Sequence, residues 1–200
     1  PAAGARFLAA CLERIRRGAE GKLTILVATS GDTGGAVAAA FHNRPGIEVV
    51  VLYPKGLVSE RQAHQLACWG GNVRTFAVRG TFDDCQRIVK EAFLDPALAQ
   101  THQLSSANSI NVGRLLPQMV YYAQAGLELW RQTGRRANFI IPSGNLGNSL
   151  ACIWARHVGI PIGEIVLATN ANQAVTEFLR TGEWLPQPSL ATLASAVDVG

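Results

Sequence analysis

Charge is scarce in this 200-residue chain: 16% of its residues are Asp, Glu, Lys or Arg, against about 25% in ordinary soluble domains. With 48% hydrophobic residues and a mean hydropathy of +0.14, the chain can bury a core, and some of its apolar surface is expected to face a neighbour. The 18 basic and 14 acidic residues leave a net charge of only +4, too small and too dispersed to mark a nucleic-acid surface. The densest basic cluster, Arg14, Arg16 and Arg17, sits beside Glu13 and Glu20 and reads as a solvated helix face. Long apolar runs are missing too. Runs such as Val49 to Tyr53 fall far short of the ~20 residues that cross a bilayer, and Pro1 to Arg6 has neither the basic start nor the apolar stretch of a signal peptide. Paired cysteine spacing is absent: Cys11, Cys68, Cys85 and Cys152 form no CxxC or metal pattern and are expected as reduced, mostly buried thiols of a cytoplasmic protein. His64 and Cys68 share a helix face, but two ligands do not make a zinc site. Metal, nucleic-acid and membrane partners are therefore not expected.

What is present is an alternation of short β-branched runs with helical periodicity. Helices are predicted over 7–15, 36–41, 59–69, 82–94 and about 112–133, with a further one from the 142–148 turn to about 157, and Ser59 and Gln62 are spaced as a capping box. Strands are predicted over 23–28, 47–53, 73–78, 137–141 and 165–168. Strands separated by helices imply βαβ units, an α/β fold with mostly parallel sheet flanked by helices. Pro117 falls in the first turns of the long helix, where a missing N–H does least harm. No repeat, low-complexity tract or flexible linker appears, so any two lobes are packed rather than tethered.

Two glycine-rich turns stand where a strand hands over to a helix, 29–35 and 142–148, which is where α/β folds place ligands. Gly31, Gly34, Gly144 and Gly147 let backbone approach an anion, and the following helix supplies unpaired N–H groups and a favourable dipole. One such turn is equally explained by the ordinary taste of βα turns for Gly, Ser and Asn; two in one chain favour binding. Neither is a P-loop, a G-x-G-x-x-G fingerprint or a G-x-S-x-G elbow. A third polar stretch, 105–111, precedes Arg114, which beside Ser109 and Asn111 is able to hold phosphate or carboxylate, or else to form a surface ion pair.

The runs Ala28-Thr-Ser-Gly-Asp-Thr-Gly34, Asn108-Ser-Ile-Asn-Val-Gly-Arg114 and Ile141-Pro-Ser-Gly-Asn-Leu-Gly-Asn148, in this order and spacing, resemble the threonine synthase family of fold-type-II pyridoxal-phosphate enzymes. Ala168 to Asn172 and Thr192 to Gly200 extend the resemblance over essentially the whole chain. It implies a two-lobed, tryptophan-synthase-β-like fold: residues 1–20 a helix of the larger lobe, 21–105 the smaller lobe, and 106–200 part of the larger, cofactor-binding lobe. It implies pyridoxal 5'-phosphate as cofactor, and O-phospho-L-homoserine as the small-molecule substrate, converted with water to threonine and phosphate. By resemblance, Gly144, Asn145, Leu146, Gly147 and Asn148 cradle the cofactor phosphate. Thr29, Ser30, Asp32 and Thr33 face the substrate carboxylate and the cofactor's ring hydroxyl, while Ser109, Asn111 and Arg114 hold the phosphate leaving group. Related enzymes carry Asn at the position of Asp32, and an acid there needs a proton or a nearby cation to face an anionic oxygen. The family's Schiff-base lysine precedes a stretch that Gly4 to Phe7 resembles, which places it near Pro1. Lys22, Lys55 and Lys90 match no such position, so no catalytic residue is assigned. The chain is expected to be an internal portion of the enzyme, inactive by itself. The other readings are a threonine/serine dehydratase or cysteine synthase, against which the 108–114 run argues, and a non-catalytic phosphate-binding module.

Overall fold

Strands rich in β-branched residues alternate with helices along the chain, and a computed structural model, which describes residues 2–108, 111–194 and 197–199, follows that alternation. In chain order the elements are α1 (Ala2–Ile15), β1 (Leu23–Ala28), α2 (Asp32–Phe41), β2 (Ile47–Pro54), α3 (Glu60–Ala67), β3 (Val73–Val78), α4 (Phe82–Leu94), α5 (Pro96–Thr101), β4 (Gln103–Ser106), α6 (Val112–Leu115), α7 (Met119–Thr133), β5 (Ala137–Pro142), α8 (Gly147–His157), β6 (Ile162–Ala168) and α9 (Ala174–Thr181). Contacts divide them into two units, residues 1–117 and 118–200.

The first unit is built on a parallel sheet in the order β3-β2-β1-β4, with Leu23 to Ala28 in register with Ile47 to Leu52. Successive side chains of a strand point to opposite faces. Ile25 and Val27 accordingly meet Val37, Ala38 and Phe41 of α2 and Ala5, Leu8 and Ala9 of α1. On the other face, Leu26 and Ala28 meet Cys85 and Val89 of α4. Burial on both faces is why β1 reads as a nearly continuous apolar run rather than an alternating one. The Ser59–Gln62 capping box is present, and Thr81 with Asp84 forms a second at the start of α4.

In the second unit β5 and β6 run parallel. One face of the pair packs Ile141 and Ile162 against Tyr122 of α7 and Ala151, Cys152 and Ala155 of α8. On the opposite face Ile140 and Val166, side by side in the register, are 76% and 43% exposed. No helix among the described residues is long and apolar enough to cross a membrane.

Several expectations change. The helix expected over 112–133 is broken into α6, a 3-10 turn at Leu116–Gln118 and α7, because Pro117 offers no N–H to continue the ladder. The second helix starts at Asp32 rather than 36, so Gly34 and Gly35 lie within it. Short α5, opened by Asp95 as cap and Pro96, and polar β4 carry no apolar run and escape the periodicity. Helix α9 was likewise not foreseen. Cys85 and Cys152 are buried, but Cys11 is half-buried and Cys68, at the end of α3, is exposed; all four are free thiols. Helix α1 packs on α2 and α6, and a Cβ on Gly4 would stand 2.8 Å from the Arg114 carbonyl oxygen.

Candidate functional site

The chain passes from β1 out to β2 and β3 on one side, then returns to place β4 on the other. The carboxyl ends of β1 and β4 therefore flank a topological switch point, the ordinary ligand crevice of an open α/β sheet. Residues 29–33, just after β1, and 107–108, just after β4, share this end of the sheet, with Leu26 and Ser106 in register.

In the first turn the Thr29 hydroxyl accepts from the N–H groups of Gly31 and Gly34 at 3.0 and 2.9 Å, and the residue is 1% exposed. Its side chain is a brace rather than a free ligand. A Cβ on Gly34 would overlap Thr29 Cγ2 and stand 2.7 Å from Leu66 Cδ2, so close approach is what requires glycine there. Gly31, at φ 145°, ψ −89°, begins α2 without any capping side chain. The exposed Asp32 carboxylate accepts from Gln62 Nε2 at 3.0 Å, so the partner of this acid is a neutral amide from α3. Among the described residues the N–H groups of Ser30, Asp32 and Thr33 have no acceptor.

After β4, Asn111 caps α6: its Oδ1 accepts from Gly113 N at 2.9 Å while its Nδ2 donates to the Ser106 carbonyl at 2.8 Å. Arg114 is 4% exposed and its Nη1 donates to the Ala107 carbonyl at 2.7 Å. Burial lowers the guanidinium's pKa from its ordinary value, yet an arginine stays charged. Asn108 Oδ1 is buried with no donor among the described residues, which costs about 1–3 kcal/mol unless a ligand or water supplies one. Ser109 lies outside the described residues.

In the second unit β5 ends in the turn 143–148. Asn148 holds it: Oδ1 accepts from Ser143 Oγ at 2.7 Å and Ser149 N at 2.9 Å, and Nδ2 donates to the Pro142 carbonyl at 2.8 Å. Leu146, the N-cap of α8, is left-handed at φ 58° and offers no capping oxygen. Such a conformation in a residue with a Cβ is held only by its surroundings. Among the described residues the five consecutive N–H groups from Gly144 to Asn148 meet no acceptor. They lie at a helix N-terminus, and open main-chain donors of this kind are a set that fits a phosphate. A Cβ on Gly144 would lie 2.8–3.0 Å from the Val197 backbone.

The candidate side chains thus divide. Thr29, Asp32, Asn111 and Asn148 are engaged in shaping turns, Arg114 is buried, and Ser30 and Asn145 are exposed. Gln62, Asn108, Val197 and the group Asn170, Asn172, Thr192 and Asp198 were missed. Asn108, Asn170, Asn172, Thr192, Val197 and Asp198 all lie inside runs that carry the resemblance, and Gln62 inside a capping box, but nothing in those runs marked them as parts of a site. Burial pushes the Cys85 and Cys152 thiols up, which makes them poor nucleophiles. No metal-binding cluster occurs among the described residues.

Gly34→Ala should destabilise the protein by about 1–3 kcal/mol, since Thr29 cannot rotate without losing both its N–H bonds. Gly35→Ala, whose Cβ would meet nothing closer than 3.9 Å, should be neutral or stabilising by up to about 1 kcal/mol. Urea unfolding midpoints distinguish the two. A second expectation concerns pH. The Thr192 hydroxyl, and then its backbone N–H, holds the Asp198 carboxyl below the ordinary 3.8. The unfolded chain binds this proton more readily, so the stabilisation is present above about pH 4 and is lost as pH falls through the depressed value. The stability difference between wild type and Asp198→Asn should therefore shrink below about pH 4; a difference constant across the acid range would contradict it.

The sequence and the fold match known proteins. A family model described as pyridoxal-phosphate dependent enzyme matches residues 3–200. The threonine synthase of Haemophilus influenzae is 47% identical over 196 residues, which cover 98% of this chain and 46% of that protein. The crystal structure of threonine synthase from Escherichia coli matches with a TM-score of 0.88 at 44% identity, over 98% of this chain and 46% of that one. The PLP-bound threonine synthase structure from Brucella melitensis matches at 0.87 and 35% identity, over 98% and 42%. The chain spans a little under half the length of these relatives. Parallel sheets that end in anion-friendly turns, and a family match from residue 3 to residue 200, lead to one assignment: the chain belongs to the pyridoxal-phosphate-dependent enzyme family.

Proposed function

We propose that the full-length protein is a threonine synthase that uses pyridoxal 5'-phosphate to convert O-phospho-L-homoserine and water into L-threonine and phosphate. The observation that carries this reading is the run of open N–H groups from Gly144 to Asn148. A phosphate ester there would receive backbone donors and the favourable end of the α8 dipole. Within the family, the choice of reaction rests on the threonine synthases of Haemophilus influenzae and Escherichia coli, 47% and 44% identical to this chain. When bound, the cofactor supplies an electron sink for carbanions at the substrate's α and β positions.

The chain's own residues would divide the remaining work. Gly144, Asn145, Leu146, Gly147 and Asn148 hold the cofactor phosphate through their main chain, and the Asn148 side chain keeps the turn in shape. The N–H groups of Ser30, Asp32 and Thr33 at the start of α2 receive the substrate carboxylate, with Thr29 and the Gln62–Asp32 bond bracing them from behind. Asn111 shapes the turn after β4, where Arg114 and Ser109 hold the departing phosphate, a fixed cation stabilising charge as it leaves. No lysine of this chain is proposed as the cofactor's anchor: Lys22 is paired with Glu48 at 2.8 Å, and Lys55 and Lys90 are exposed.

The full-length protein should show a borohydride-reducible cofactor chromophore and release threonine and phosphate in equal amounts from O-phospho-L-homoserine. A chromophore with deamination of serine or threonine instead would make it a dehydratase, and no chromophore would leave a phosphate-binding module. Gly144→Ala should weaken pyridoxal phosphate binding, as read by titration of the apoprotein, because the Val197 backbone cannot yield to a methyl group. Arg114→Lys, which keeps the charge but loses the fork, should lower kcat/KM for the phosphorylated substrate by about 10²-fold with the cofactor absorbance intact. Loss of cofactor with unchanged kinetics on the retained fraction would move Arg114 to the other phosphate.

A further inference from the structure

The segment that ends the described chain is tied down by one carboxylate. Asp198 Oδ1 accepts from Asn170 Nδ2 at 2.6 Å, Thr192 Oγ1 at 2.7 Å and Asn172 Nδ2 at 3.3 Å, and Oδ2 accepts from Thr192 N at 2.9 Å. Asn172, 8% exposed, adds a two-way bond to Leu190: its Nδ2 donates to the carbonyl at 2.9 Å and its Oδ1 accepts from the N–H at 2.7 Å. Asn170 Oδ1 in turn accepts from Asn172 N and Nδ2, both at 2.9 Å. Leu190, Thr192 and Asp198 are thereby fastened to the loop that follows β6. That loop begins beside the 143–148 turn, since Ser143 N donates to the Ala168 carbonyl at 3.0 Å. The residue before Asp198 is Val197, whose backbone fills the space where a Cβ on Gly144 would lie.

We propose that Asp198 is a positioning residue for the phosphate nest: by gathering Asn170, Asn172 and Thr192 it holds the Val197 backbone against Gly144 and fixes the direction of the open N–H groups that follow. The inference rests on the reading of 144–148 as the cofactor-phosphate cradle. The chemistry explains why the residue is an acid. A carboxylate accepts with both oxygens, whereas an amide at the same place would turn an NH2 toward a donor, either the Thr192 N–H or the cluster on Oδ1. It also explains the crowd of donors. A negative charge in the same unit as an anion site works against that anion, and four hydrogen bonds draw the charge into the network. Gly144 completes the device, because only a residue without a Cβ lets the two backbones come this close. A nest loosened by a fraction of an ångström keeps its donors but loses their common aim.

The test uses the full-length apoprotein, titrated with pyridoxal 5'-phosphate and with pyridoxal, which lacks the phosphate. Wild type should prefer the phosphorylated form strongly. Asp198→Asn should cut that preference by about tenfold or more while leaving pyridoxal affinity unchanged. Thr192→Val, which removes the hydroxyl with its bond to Asp198 and the bonds it accepts from Asn170 and Ala194, should act in the same direction and covers the case in which Asp198→Asn does not fold. Combined with Gly144→Ala, the loss should be less than additive, since both act at the Val197 contact. An unchanged preference in both Asp198→Asn and Thr192→Val overturns the inference and leaves the cradle reading standing. An equal loss for both ligands also overturns it, since that marks a structural role only. If wild type itself shows no preference for the phosphorylated form, the cradle reading fails and the inference falls with it.

Discussion

A backbone N–H that is left open at the start of a helix must be aimed before it is useful, and in this chain the aim comes from contacts that only glycine permits. Gly34 lets the Thr29 side chain close on the first turn of α2, and Gly144 lets the Val197 backbone lie against the turn before α8. In each case a brace sits behind the turn, and a row of N–H groups without acceptors among the described residues remains in front. The polar side chains around them are largely occupied in holding shape: Thr29 binds two N–H groups, Asn111 caps α6, and Asn148 ties Ser143 to Pro142. Removing such a brace leaves the donors in place and alters their geometry, which is why the expected effects fall on affinity for anions.

The motif runs were legible in the sequence because glycine and short polar residues mark strand-to-helix turns by local rules. The strands β1 and β3 and the helix α4 were legible for the same reason, each being a compact periodic run between clear caps. The braces were not. Gln62 reaches Asp32 from α3, and Asp198 reaches Asn170 from a segment far along the chain; nothing local in either stretch announces the partner. Strand β4 was missed because it is a polar edge strand whose place is set by pairing with β1. Pro117 was read as harmless in the first turns of a helix, yet it separates α6 from α7, and the unit boundary falls right after it. The polar residue types marked the turns, but types alone did not say whether side chain or main chain is left open there.

The scarcity of charge also takes a physical form. The β5–β6 pair is covered by α7 and α8 on one face, while Ile140 and Val166 remain open on the other. A two-stranded parallel pair is marginal by itself, and this chain spans a little under half the length of the relatives it matches. Low charge and open apolar strand faces describe the same surface at two levels, composition and packing.

The account depends most on the claim that main-chain N–H groups, rather than the polar side chains around them, receive the phosphate. Amide chemical shifts of the full-length apoprotein, followed as pyridoxal 5'-phosphate is added and again as pyridoxal is added, test it directly. The account predicts that the five amides from Gly144 to Asn148 move together with the phosphorylated ligand and stay still with pyridoxal. Shifts confined to side-chain resonances, with those five amides unmoved by either ligand, would contradict it.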